Sequence, residues 1–249
     1  MKRVVVSPTL QEVADSAVEL VAELAAEAIA ARGSFRLALS GGNAPRAMYR
    51  TLARPEVASQ IDWSRTHIFV SDERCVPISQ PESNWGAAAA LFVNSLQVPP
   101  ENLHPAWVPQ QSPEQLAARY EREIGEEFGL PPGPAPSFDL IFLGLGDDGH
   151  TASLFPGNPS LNVTDRWVVA SAPGTLPPPV DRITFTYPLI NAATCVVLLV
   201  TGAAKARIVN QVVNGPCNPE LHPACGVMPQ AGDLVWLVDE AASAAFRTH

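Results

Sequence analysis

Lysine is nearly missing from this sequence: Lys2 and Lys205 stand against fourteen arginines in 249 residues. Acidic residues outnumber basic ones by 25 to 16, a formal charge of −9, so the chain lacks the clustered basic surface that nucleic acid or an anionic membrane requires. An anionic small molecule would need a local exception, which draws attention to Lys205 inside an ordered-looking segment; Lys2 reads as terminal solubility. Cysteine is scarce too. Cys75, Cys195, Cys217 and Cys225 are too few and too irregularly spaced for a disulfide-built secreted scaffold, which predicts reduced thiols in the cytoplasm. No stretch approaches the roughly eighteen apolar residues of a membrane span, and Met1 to Pro8 carries too short an apolar run for an export signal. The expectation is a soluble, unexported protein.

What is present is a hydrophobic fraction of 47%, enough for one substantial core. Arg3 to Val6 reads as a strand and Thr9 to Ala31 as a helix, with Val13, Ala17, Leu20, Val21, Leu24 and Ala28 on one face and Gly33 as its stop. Phe35 to Leu39 is an apolar strand, then Ser40-Gly41-Gly42, then a helix around Pro45 to about Arg54. The unit recurs with a strand His67 to Val70, the turn Ser71-Asp72-Glu73-Arg74 and a helix from Ser83 to about Leu96. Phe138 to Leu143, Cys195 to Val200 and Leu234 to Val238 are further apolar strands, with a closing helix from Asp239, while Arg182 to Tyr187 alternates and is expected half exposed. Continuously apolar strands alternating with helices predict an α/β, doubly wound, mostly parallel sheet covered on both faces, Rossmann-like. The proline-rich stretches 131–136 and 173–179 look like loops inside a single domain spanning 1–249. Ligands of such sheets sit beyond the carboxyl ends of the strands, where the polar turns fall.

Three of those turns carry chemistry. Ser40-Gly41-Gly42-Asn43-Ala44-Pro45 joins a strand to a helix start, where free backbone N–H groups and the helix dipole suit a phosphate, although a Gly-Gly pair also suits an ordinary tight turn. Gly144-Leu145-Gly146-Asp147-Asp148-Gly149 matches dinucleotide spacing, but Asp147 and Asp148 would face a pyrophosphate and the following residues leave little room for the long helix that should bind it. The same loop offers Asp148 two residues before His150, an imidazole suited to accepting and returning a proton near neutral pH. Asp72-Glu73-Arg74 lies at another strand end, and Arg74, Arg182 and Lys205 are candidates for one dianion site, although a single Arg is more usually a solvated surface charge. Cys217, His222 and Cys225 have an unorthodox spacing for zinc and no fourth ligand in view, so no metal site is assigned.

Read together, Ser40-Gly41-Gly42-x-x-Pro45, Asp72-Glu73-Arg74-x-Val76-Pro77 with Ser83-Asn84 behind it, Gly144-x-Gly146-x-Asp148-Gly149-His150-Thr151-Ala152-Ser153-Leu154-Phe155-Pro156, Arg182-Ile183-Thr184 and Gly202-x-x-Lys205 resemble, in order, the signature blocks of 6-phosphogluconolactonases. The resemblance implies a fold shared with glucosamine-6-phosphate deaminases and a phosphorylated sugar lactone as small-molecule substrate, with no cofactor. Carried over residue by residue, Ser40, Gly41, Gly42, Arg74, Arg182 and Lys205 should bind phosphate or its neighbourhood, while Asp72, Asp148 and His150 surround the reacting end. Asn43-Ala44 depart from the Ser-Thr usual in the first block; if those hydroxyls help hold phosphate, Asn43 must substitute or affinity falls. The deaminases resemble Asp-Gly-His-Ile-Ala-Phe-Asn-Glu-Pro here, and Phe155 stands in the place of their glutamate, which disfavours that activity. A non-catalytic sugar-phosphate sensor is a second alternative, but the chain has no spare length or basic patch for a DNA-binding segment. A monomer or small homo-oligomer is expected.

Overall fold

The structure, a computed structural model, describes residues 1–131, 133–174 and 179–246. The proline-rich stretches 131–136 and 173–179 fall partly outside these, at 132 and at 175–178. The elements in chain order are β1 (Lys2–Ser7), α1 (Leu10–Arg32), β2 (Phe35–Leu39), α2 (Asn43–Leu52), α3 (Pro55–Ala58), β3 (Thr66–Val70), β4 (Asp72–Arg74), α4 (Asn84–Leu91) and α5 (Pro113–Glu127). They continue with β5 (Leu140–Leu143), β6 (Val168–Ser171), β7 (Arg182–Phe185), α6 (Tyr187–Ile190), β8 (Cys195–Val200), α7 (Ala206–Asn214), β9 (Asp233–Asp239) and α8 (Glu240–Ser243).

Local signals account for the boundaries. The Thr9 side chain accepts from Glu12 N and Gly33 closes α1 in the left-handed region, so the first helix begins and ends where its punctuation stands. Ser83 caps α4 through Gly86 N. Ser112 and Gln115 form a capping box ahead of α5, a helix the sequence reading left unassigned.

Six strands pair in the order β1-β9-β8-β5-β2-β3, every neighbouring pair parallel. All six residues of β8 are buried, as expected of a central strand covered on both faces. The doubly wound, mostly parallel architecture predicted from the sequence is thus the observed one.

A second sheet, β4-β7-β6, is antiparallel and was not foreseen. It joins the first at Ser71, whose N donates to Leu39 O at 2.7 Å and whose O accepts from Phe185 N at 2.8 Å. β7 corrects an expectation: Arg182 to Phe185 are all buried rather than half exposed, because β7 is the middle strand of this sheet, flanked by β4 and β6.

The cysteines correct another. Cys217 and Cys225 form a disulfide with Cα atoms 5.5 Å apart, and only Cys75 and Cys195 are free thiols. Asn218 O accepts from both Leu221 N and His222 N, a turn that folds the segment back and brings the two Cys together. The pairing also takes both sulfurs away from the weighed Cys-His-Cys metal set. Among the described residues no helix is long and apolar enough to cross a membrane.

Candidate active site

Four turns at the carboxyl ends of β2, β3, β5 and β8 meet the end of β7 around a cavity of about 330 Å³, within the usual size of a small-ligand pocket. Ser40, Gly41, Gly42 and Asn43 line it from the first turn, and Asp72 and Arg74 from the second. His150 enters from the third, Arg182 from β7 and Lys205 from the turn after β8. The structure therefore brings together every candidate site residue read from the sequence; Asp148 joins through its bond to His150.

The loop carrying His150 is tied to itself. Gly146 N donates to His150 O at 2.8 Å, Gly149 N to Gly146 O at 3.0 Å and Thr151 Oγ1 to Gly144 O at 2.8 Å. Within it, His150 Nδ1 lies 2.6 Å from Asp148 Oδ1, and the same oxygen accepts from His150 N at 3.0 Å. Burial pushes the Asp148 carboxyl up, but the hydrogen bonds from the His150 ring and amide outweigh it, and the acid sits below its ordinary range. Gly146 is required by close approach: a Cβ there would stand 2.0 Å from His150 Nδ1. The disulfide-closed segment supports the loop from behind, with Ala224 N donating to Gly149 O at 2.9 Å.

The cationic side of the cavity is built by register. Arg74 of β4 and Arg182 of β7 are directly paired residues, and like charges placed opposite one another across a ladder repel. Burial lowers the Arg182 pKa first, while Asp72 raises it and Arg74 lowers it further. Arg74 Nη1 donates to Glu82 O at 2.8 Å and to Asn84 Oδ1, and its Nε is buried without a hydrogen-bond partner among the described residues. A doubly negative guest would relieve the repulsion. Lys205 Nζ donates to Leu145 O at 2.7 Å and pairs with the exposed Asp147 carboxylate at 2.6 Å.

Asp72 is buried and oriented, its Oδ2 accepting from Ser153 Oγ at 2.6 Å and its Oδ1 from Asn84 Nδ2 at 3.1 Å. Glu73 points the other way and is structural. It accepts from Arg74 N at 2.8 Å, Asn84 N at 2.7 Å, Trp85 N at 2.8 Å and Ser83 Oγ at 3.0 Å, while burial pushes its carboxyl up to about 6 against these donors. Asn84 and Phe155 are cavity-lining residues that the sequence reading gave no role. For Asn84 a signal existed in the Ser83-Asn84 pair behind Asp72-Glu73-Arg74. Phe155 lies against both key groups, its ring centroid 4.8 Å from that of His150 and 5.3 Å from the Arg182 guanidinium carbon.

Comparison with known proteins places the chain in a family. Residues 8–236 match the family described as glucosamine-6-phosphate isomerases/6-phosphogluconolactonase. The 6-phosphogluconolactonase of Synechocystis sp. is 42% identical over 221 residues, covering 89% of this chain and 88% of that protein. The solved structure of a 6-phosphogluconolactonase from Trypanosoma cruzi superposes with a TM-score of 0.85 at 26% identity, covering 100% of this chain and 98% of the other. A monomeric glucosamine-6-phosphate deaminase, at 20% identity and a TM-score of 0.80 over 98% of this chain and 100% of its own, shares the fold. The chain belongs to the glucosamine-6-phosphate isomerase/6-phosphogluconolactonase family.

Proposed function

We propose that the chain hydrolyses 6-phospho-D-glucono-1,5-lactone to 6-phospho-D-gluconate, with His150 as general base and acid. The observation that carries the reading is the 2.6 Å Asp148–His150 pair set in the same cavity as Arg74, Arg182 and Lys205. A lactone is an activated ester, so the reaction needs a directed water, a site for the oxyanion and a proton for the departing ring oxygen.

With Nδ1 engaged by Asp148, the His150 Nε2 is the nitrogen that takes a proton from water as it attacks the carbonyl carbon. The same proton returns to the ring oxygen when the tetrahedral intermediate collapses. Asp148, held ionised, stabilises the imidazolium formed between these steps and keeps the ring in its productive tautomer. The phosphate does not react; bound by the two arginines and Lys205 near the Ser40-Gly41-Gly42 turn, it positions the lactone, and its binding energy is expressed as orientation. Phe155 presents an apolar ring beside His150, where the deaminase pattern has a carboxylate to assist ring opening. The proposal includes a single domain over 1–249, a cytoplasmic location and a monomer or small homo-oligomer.

The test follows consumption of freshly prepared lactone, corrected for its spontaneous opening. His150→Gln should lower kcat by about a hundred- to ten-thousandfold, the range of positioned acid-base catalysis, with circular dichroism unchanged. Near-normal turnover by that variant would remove His150 from the mechanism, and ammonia release from glucosamine 6-phosphate by the wild type would favour the deaminase.

A further inference from the structure

Away from the catalytic cavity, three side chains of metal-binding type converge at the amino end of the sheet edge. His67 is the second residue of β3, the outermost strand; His104 follows the segment that runs alongside it; Glu127 is the last residue of α5. We propose that His67, His104 and Glu127 bind one divalent transition-metal ion of the zinc class, which clamps the sheet edge to the end of α5.

The spacing supports this directly. His67 Nδ1 is 3.3 Å from His104 Nε2 and 3.1 Å from Glu127 Oε2, and the three ligand atoms all lie within 4.8 Å of one another. Zinc bonds of about 2.0–2.2 Å to nitrogen and oxygen place neighbouring donors of a tetrahedron about 3.3–3.5 Å apart. Two of the three separations are close to that edge, and the third closes with a small side-chain movement. Two imidazoles and one carboxylate are also a donor set suited to this class of ion.

The surrounding groups hold the donors in ligand orientation. His104 Nδ1 lies 3.0 Å from Glu123 Oε1, which turns Nε2 toward His67 and Glu127, the carboxylate-histidine arrangement found behind metal-bound imidazoles. Its ring stacks on Phe69 with centroids 4.0 Å apart and an interplanar angle of 5°. Arg36 Nη2 pairs with Glu127 Oε1 at 3.2 Å, leaving Oε2 facing His67. A cavity of about 440 Å³ adjoins the cluster and leaves room for solvent to complete the coordination; Glu101, Glu123, Glu126 and Glu127 line it, and among the described residues no Lys or Arg does.

The ion would join three segments. His104 N already donates to Ile68 O at 3.0 Å, and Leu103 bridges Ile68 in parallel register, so the 103–104 segment covers the edge of β3. From His67 to Ser71 the strand runs roughly 13 Å, which separates the clamp from the chemistry. The competing arrangement is a set of hydrogen bonds in which the His67 Nδ1 proton is shared by Glu127 and His104.

Titration of chelator-stripped full-length protein with Zn²⁺, by calorimetry and by competition with a chromophoric indicator, separates the two. One ion per chain is expected, with a rise in Tm because the ion binds the folded state. His67→Gln and Glu127→Gln, both at partly exposed positions and checked for folding by circular dichroism, should each weaken binding at least tenfold. Glu123→Gln should weaken it about ten- to a hundredfold. His150→Gln and His222→Gln should bind as wild type does, which keeps this outcome separate from the lactonase reading. Absence of a stoichiometric ion, or wild-type affinity in the His67 and Glu127 variants, would overturn the proposal.

Discussion

At the residue scale, the pairing of Lys205 with Asp147 is the feature with the clearest kinetic consequence. Asp147 is 63% exposed, and under the proposed function its bond to the ammonium at 2.6 Å competes with the substrate phosphate. Ion pairs so exposed are worth about 0–1 kcal/mol. Asp147→Asn should therefore lower KM for the phosphorylated lactone by up to about fivefold with kcat unchanged, a conversion of that energy at 1.4 kcal/mol per decade. A raised KM in steady-state kinetics would show instead that Asp147 orients Lys205. The two halves of the site differ in legibility at this scale. Asp148 and His150 could be read from a two-residue spacing at a strand end, because a local turn is enough to join them. The Ser83-Asn84 pair marks Asn84, but its bonds do not follow from that pair, since Arg74 and Asp72 arrive from a different element.

At the scale of elements, β4 and α4 are fastened by one buried carboxylate. Glu73 accepts four hydrogen bonds, three from backbone N–H groups and one from Ser83. Glu73→Ala would strand these donors at a cost of about 1–3 kcal/mol for each that finds no water. A total of about 3 kcal/mol corresponds to a Tm fall of about 6–12 °C for a chain of this size. An unchanged thermal melt would show that solvent replaces the carboxylate. Strands such as β8 are legible because their composition reports burial on both faces. β7 misleads for a physical reason: its polar residues are buried, Arg182 lining the cavity and Thr184 accepting from Ser153 N at 3.1 Å, so the alternation mimics a strand with one face in solvent. The Cys217–Cys225 bridge was beyond sequence reading because it depends on how the intervening turn folds.

At the scale of the whole molecule, function follows from two sheets meeting at Ser71. The parallel sheet delivers the glycine turn, the histidine loop and Lys205 to one end. The antiparallel sheet adds Arg74 and Arg182, side by side, to the same cavity. Neither sheet alone carries both the Asp148–His150 pair and all three of Arg74, Arg182 and Lys205. The most direct test of this division is a crystal structure with 6-phosphogluconate, the reaction product. Its phosphate should lie among Arg74, Arg182 and Lys205, and its carboxylate within hydrogen-bonding distance of His150 Nε2. A product bound with its carboxylate remote from that imidazole would contradict it.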